Sequence, residues 1–217
     1  MTDATLSTYA LPMQRDVALF HDAFGMPNAI SAPRPLPLDR IELRISLIRE
    51  EGLAELGDAI KQNNQIEIID ALIDTVYVSL GALVEMGANI DATILARNDT
   101  AHASPSLSLA DSGTNSLEVT NMYVVMLEDA FRAQHLMPAV NLLSLITGAA
   151  LRALIHAGID AQPFFDEVQR ANMSKLGADG KPVYSRGEDL DGYPAGKVLK
   201  GANYSPPDLA SVYARLT

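Results

Sequence analysis

Apolar positions recur with a helical period along most of the chain. Between Gln14 and Phe24 they place Val17, Phe20, His21 and Phe24 near one face, which predicts a short amphipathic helix. Gly25 to Pro37 holds one glycine and four prolines and reads as an extended connector. Asp39 with Glu42 three residues on forms a capping box. Leu43, Leu47, Leu53, Leu56 and Ile60 then mark a helix from about Arg40 to Gln62. Asn63-Asn64 breaks it. A more apolar helix is predicted over Gln65–Met86, ending at Gly87. Residues 88–116 are dominated by Ser, Thr, Asn, Asp and Gly, and predict a long exposed loop with a turn of helix near Ile94. Helices follow over Leu117–Leu136, Pro138–His156 and Phe164–Lys175, with Pro138 and Pro163 as start signals. After Gly177 the chain is a tail rich in Gly, Pro, Lys and Tyr, closed by a short helix over Asp208–Leu216.

Composition agrees with an all-α fold. At 217 residues the chain suits one domain, 48% of it is apolar, and aromatics make up 6%, little for a sheet protein. Met122, Val124, Phe131, Leu142 and Ile146 in the segment 88–158 need burial, so this insertion is expected to add two helices that complete the bundle or form a subunit contact. Ser79–Asp91 also echoes Ile146–Asp160, either as a remnant of duplication or because two helices share a Gly-Ile-Asp style of ending. With no cysteine, disulfides and thiolate metal sites are excluded. A formal net charge of −11 argues against nucleic acid as a partner and is compatible with divalent cations. The N-terminus lacks the basic-then-apolar pattern of a signal peptide. Asp70, Asp74 and Arg152 interrupt the apolar runs, so no membrane span is expected and the cytoplasm is the simplest location.

Candidate chemistry concentrates in Arg49–Tyr77. Glu50, Glu51, Glu55, Asp58, Glu67, Asp70 and Asp74 lie there with Lys61 as the only base between the first and last. In a regular helix Glu51 and Glu55 are about 40° apart, and Glu67, Asp70 and Asp74 share an arc of about 60°. Folding the pair of helices about Asn63 sets Glu51 level with Asp74, Glu55 with Asp70 and Asp58 with Glu67. Single charges on helices are ordinarily solvated. Asp70 and Asp74, however, sit among Ile66, Ile69, Leu72, Ile73 and Val76, and no Lys or Arg occurs between Gln62 and Arg97. Burying them calls for a cation. Oxygen ligands without cysteine suit Mg²⁺, Mn²⁺ or Ca²⁺ rather than Zn²⁺.

The stretch LIREEGLAEL…EIIDALIDTVYVSLGA, followed by FFDEVQRANMSKLGADGKPVY…GKVLKGANYSPPDL, resembles the all-α nucleoside triphosphate pyrophosphohydrolases, and among them the MazG-like and phosphoribosyl-ATP-pyrophosphohydrolase-like proteins of phages and bacteria. The resemblance covers about 39–87 and 160–209. It implies a MazG-like helical bundle around an antiparallel carboxylate hairpin, with 88–158 as a helical insertion. It implies cleavage of a nucleotide between its α- and β-phosphates with Mg²⁺ or Mn²⁺. It also implies a homodimer or homotetramer, in a host's cytoplasm for a phage protein. Known substrates of such proteins range over dUTP, dCTP, phosphoribosyl-ATP and purine deoxynucleotides, and a purine such as dGTP or dATP is the first expectation.

Against the family's EExxE and ExxD, Glu55 falls one residue late, with Gly52 where a second glutamate would stand, and Ala71 replaces the second helix's Glu. The face is preserved. Glu51, Glu55, Asp70 and Asp74 are therefore the expected ligands, with Glu67 as a further one. Glu50 or Glu51 is the expected base, and Asp58 ranks last. Phosphates need donors the hairpin lacks. Asn172 and Lys175, three apart at a helix end, can reach one ligand together, and the resemblance gives an Asn-x(2)-Lys the same task. Lys197 and Lys200, with Lys181, lie in the tail that could close over the site. Tyr77, Phe20, His21 and Phe24 could stack on a base, although core packing is the commoner use of such residues. Arg170 is expected to pair with Asp166 or cap its helix. A non-catalytic cation-binding helical protein is the competing class, and it would have no use for Asn172 and Lys175.

Overall fold

The computed structural model describes residues 11–29, 32–91, 93, 107–187 and 198–216. Helix α1 (Pro12–Ala23) is followed by the proline-rich connector, then by α2 (Leu38–Arg49), a π-helical segment (Glu50–Glu55), α3 (Leu56–Lys61) and α4 (Gln65–Met86). Next come α5 (Leu109–Arg132), α6 (Leu136–His156), α7 (Ala161–Met173) and α8 (Leu209–Leu216). Among the described residues there is no β-strand, only two isolated bridges, Leu176 to Pro182 and Tyr184 to Val198.

The hairpin between α2 and α4 closes as the polar turn predicts. Asn63 takes φ +49°, and Asn64 caps α4 by accepting the amide of Glu67. Gly87 ends α4 at φ +66°, where a residue without Cβ is unstrained. Gly158, just past α6, sits at φ +74°, so the likeness between the two helix endings has a conformational basis.

Several expected boundaries shift. α2 starts at Leu38 behind Pro37, which puts Asp39 in the first turn rather than at a cap. Pro138 and Pro163 lie in the first turns of helices capped at His135 and Asp160. The largest change is α5, which begins at Leu109. Ser108 accepts the amide of Asp111 as N-cap, and Ser112, Gly113, Ser116 and Thr120 are buried. Small polar residues that suggest a loop here serve close helix packing. A Cβ on Gly113 would lie 3.3 Å from Ile68 and 3.4 Å from Ile60. The turn expected near Ile94 lies outside the described residues.

α5 and α6 complete the bundle. α6 packs along α4, and Val124, Leu127, Phe131, Leu143, Ile146 and Leu154 join the same core as Ile45, Leu72, Val76 and Leu80. α6 is also the one helix among the described residues that is long and apolar enough to cross a membrane, and most of it is buried within the bundle. α7 is tied across the open side. Gln169 donates to the carbonyl of Asp16 at 2.9 Å and accepts the Tyr77 hydroxyl at 2.7 Å, joining α7 to α1 and α4. That clamp sets the end of α7 over the hairpin.

Candidate active site

Glu51 and Asp74 line a cavity of about 580 Å³, and Asn172 and Lys175 face them from the end of α7. Phe20, Phe24, Tyr77 and Tyr184 add aromatic wall, and Leu43, Leu47, Val78 and Val198 aliphatic wall. The hairpin supplies the acids by a regular register. Arg40, Arg44, Leu47 and Glu51 recur at 4, 3 and 4 residues on one face, as do Asp74, Val78, Gly81 and Glu85 on the antiparallel helix.

The π segment explains the late acid. A π turn takes one more residue than an α turn, so the residue that sets Glu55 late is absorbed within Glu50–Glu55. Gly52 is buried at this point. A Cβ there would lie 3.0 Å from Thr120 Cγ2 and 3.4 Å from Thr75 Cγ2, so α4 and α5 press on the segment together.

The acids repel one another. Burial first, then the charges of Asp74, Glu55 and Glu50, with a hydrogen bond to Glu55, push the Glu51 carboxyl up to about 9. Asp74 rises to about 7, by burial and then by Asp70, against the pull of Lys175. Asp70 rises to about 6 through burial, Glu67 and Glu55. Glu51 Oε2 and Asp70 Oδ1 are buried without a hydrogen-bond partner among the described residues. Opposite them, Lys175 Nζ donates to Asn172 Oδ1 at 2.6 Å. Its ammonium is lowered by burial and by Lys200, and raised in part by Asp74 and Glu51.

The predicted site residues therefore divide. Glu51, Asp74, Asn172 and Lys175 come together in the cavity. Asp70 is half-buried beside them. Glu50, Glu55 and Glu67 are exposed and act on the inner acids through charge. Asp58 pairs with Lys61 at 2.9 Å on the surface. Lys200 lies 4.5 Å over the ring of Tyr204, and Lys197 falls outside the described residues. Arg170 holds Glu167 rather than Asp166, and donates to the carbonyl of Pro206, fixing the tail.

A closed cage is not what the hairpin forms. Among the described residues no three acids stand close enough to hold a cation unaided. The donor set still fits one. Two orphaned carboxylate oxygens in an all-oxygen environment suit a hard cation that takes one or two carboxylates and completes its shell from phosphates.

Three residues at the cavity's other end, Arg40, Arg44 and Glu85, were not foreseen, and His21 was named only as a stacking residue. Arg40 and Arg44 grip Glu85, Nε to carboxylate, at 2.5 and 2.6 Å. His21 stands beside Arg44, with Nη2 to Nε2 at 3.3 Å. The sequence signal was Glu85, an acid inside the apolar run GALVEM eleven residues, about three helical turns, after Asp74.

Residues 17–97, from α1 through the hairpin, match the family model for phosphoribosyl-ATP pyrophosphohydrolase. An uncharacterized protein, L479, of Acanthamoeba polyphaga mimivirus is 30% identical over 203 residues, covering 81% of this chain and 75% of its own. A crystal structure from Exiguobacterium sp. 255-15, provisionally named an NTP pyrophosphohydrolase, overlays with a TM-score of 0.47 at 24% identity across 95% of this chain and 96% of the other, a loose likeness. The chain is thus a relative of the mimivirus protein over most of its length, and its segment 17–97 carries the pattern of the phosphoribosyl-ATP pyrophosphohydrolase family.

Proposed function

We propose that the protein is a divalent-metal-dependent nucleoside triphosphate pyrophosphohydrolase, releasing monophosphate and pyrophosphate, with a purine deoxynucleotide such as dGTP or dATP as substrate. The supporting observation is the single cavity that sets Glu51 and Asp74 against Asn172 and Lys175. A protein that only stored cations would not need the second pair, and this favours the enzyme over the cation-binding reading.

Glu51 and Asp74 would hold Mg²⁺ or Mn²⁺, with Asp70, Glu55 and Glu67 as neighbouring acids. When bound, such an ion supplies positive charge against the phosphates. Lys175, held in place by Asn172, adds a second cation from the opposite wall. Water oxygen bonds to the α-phosphorus as the α–β bridging bond breaks. The water proton passes to a carboxylate, Glu51 within the cavity or Glu50 beside it, and pyrophosphate leaves. Lys200, whose charge reaches Lys175, adds to the phosphate side. On the same reading the protein is a homodimer or homotetramer.

The test is a panel of the eight common NTPs and dNTPs with Mg²⁺ or Mn²⁺, measuring monophosphate, pyrophosphate and orthophosphate separately. At least one nucleotide should yield monophosphate and pyrophosphate in equal amounts. Orthophosphate as the first product would refute α–β cleavage, and no turnover of any nucleotide would refute the enzyme reading.

A further inference from the structure

Hydrolysis uses the carboxylate end of the cavity and leaves the Arg40 end without a task. Arg40 and Arg44 lie eleven and seven residues before Glu51 on the same stripe, so the Arg40 end is about 16 Å of helix from the acids. That span lets a nucleotide with its phosphates at the acids lay its base here.

The polar capacity of this end is one-sided. Both Glu85 oxygens are taken by the two arginines, and its side chain is 1% exposed. His21 Nδ1 lies 2.7 Å from the carbonyl of Pro27, which can only accept, so the proton is on Nδ1 and Nε2 faces Arg44 as acceptor. Its low basicity, about 4, follows from burial and then from the Arg44 charge. The Tyr77 hydroxyl gives its proton to Gln169 and the Tyr184 hydroxyl to the carbonyl of Phe24. On the guanidinium side what remains is donors. Arg40 uses Nε and Nη2 on Glu85, its side chain is 27% exposed, and its Nη1 has no hydrogen-bond partner among the described residues. Arg44 uses Nε and Nη2 and is likewise left with Nη1. Gly81 keeps the floor open beneath that nitrogen, since a Cβ would stand 2.8 Å from Arg44 Nη1 and 3.3 Å from His21 Nε2. Two arginines against one glutamate and a neutral histidine also leave one excess positive charge.

We propose that Arg40 and Arg44, held by Glu85 and His21 over Gly81, form a guanidinium donor subsite that selects a base with a 6-keto, N7 edge over one with an exocyclic amine at that place. A guanine-type edge offers two acceptors to one guanidinium, whereas an adenine-type edge turns an NH₂ donor toward it. Phe20, Leu43, Leu47 and Val78 line the slot in which such a base would lie. The selection rests on the pyrophosphohydrolase reading for the placing of the phosphates, and it narrows that reading's purine to guanine.

The experiment compares dGTP, dITP, 7-deaza-dGTP and dATP as substrates of the wild-type protein and of Arg40→Lys, which keeps a charge beside Glu85 but loses the fork. The same four bases are measured for binding as α,β-methylene analogues with Mg²⁺. For wild type, kcat/KM for dGTP and dITP should be similar and about ten- to a hundredfold above dATP, with 7-deaza-dGTP between. In Arg40→Lys the keto preference should shrink to within about threefold. Equal use of dGTP and dATP by wild type overturns the proposal, as does full preference retained in Arg40→Lys. If no nucleotide is cleaved but the methylene analogues bind in the keto order, the subsite stands and the hydrolase reading falls. Cleavage with no base preference has the opposite meaning.

Discussion

Three carboxyls in the hairpin hold protons more tightly than they do in an unfolded chain. Glu51 near 9, Asp74 near 7 and Asp70 near 6 all lie above ordinary carboxylate values. Between about pH 4 and those values the folded protein binds protons that the unfolded chain has shed, so this contribution to stability falls as pH rises. In chelator, Tm should therefore drop from about pH 5 to pH 9. Mg²⁺ or Mn²⁺ should restore Tm most at the alkaline end, and Asp74→Asn should flatten the metal-free slope while abolishing turnover. A flat wild-type profile by differential scanning fluorimetry would contradict this. Glu51, Asp74, Asn172 and Lys175 were legible in the sequence because an acid in an apolar helix and an Asn-x(2)-Lys at a helix end stand out against their surroundings. Arg40 and Arg44 were not, because an arginine on an amphipathic helix ordinarily points to water, and their counter-ion Glu85 lies more than forty residues away.

At the scale of elements, the hairpin was readable from a polar turn between two periodic runs, whereas the π segment within it was not. A spacing of four residues from Glu51 to Glu55 fits an α-helix or a π-helix equally well on periodicity. The choice is made by Thr75 and Thr120 closing on Gly52 from two other helices. Gly52→Ala should accordingly cost about 1–3 kcal/mol by overpacking. Denaturant unfolding at fixed pH measures it. A change within about 0.5 kcal/mol would mean that Thr120 yields freely and the segment is not gripped. The start of α5 was hidden for a related reason. Serine, threonine and glycine are loop residues by frequency and close-packing residues by size, and only a partner such as Ile68 separates the two uses.

At the scale of the molecule, the insertion has two faces. One supplies Leu127 and Phe131 to the core, while Met122, Val125 and Met126 project from α5 at 52–57% exposure as an i, i+3, i+4 stripe. An apolar stripe of this kind suits an interface between copies. Light scattering should give a dimer or tetramer. Met122→Glu with Met126→Glu should lower the order of assembly while circular dichroism is retained. A monomeric wild type would remove the oligomer from the proposed function. The sequence signalled that the insertion needed burial, but not how its apolar residues divide between core and surface, because that depends on where α6 lies.

The cavity joins parts of the chain far apart in order of synthesis. Its acids are complete once residue 86 has emerged, whereas Asn172 and Lys175 come nearly ninety residues later. At roughly 5–20 residues per second, the growing chain carries a self-repelling anionic half-site for several seconds before its counter-charge exists. The carboxyls' hold on protons, and any free cation captured early, then become matters of nascent-chain survival as much as of turnover. α7 is the step at which the acids first meet their counter-charge.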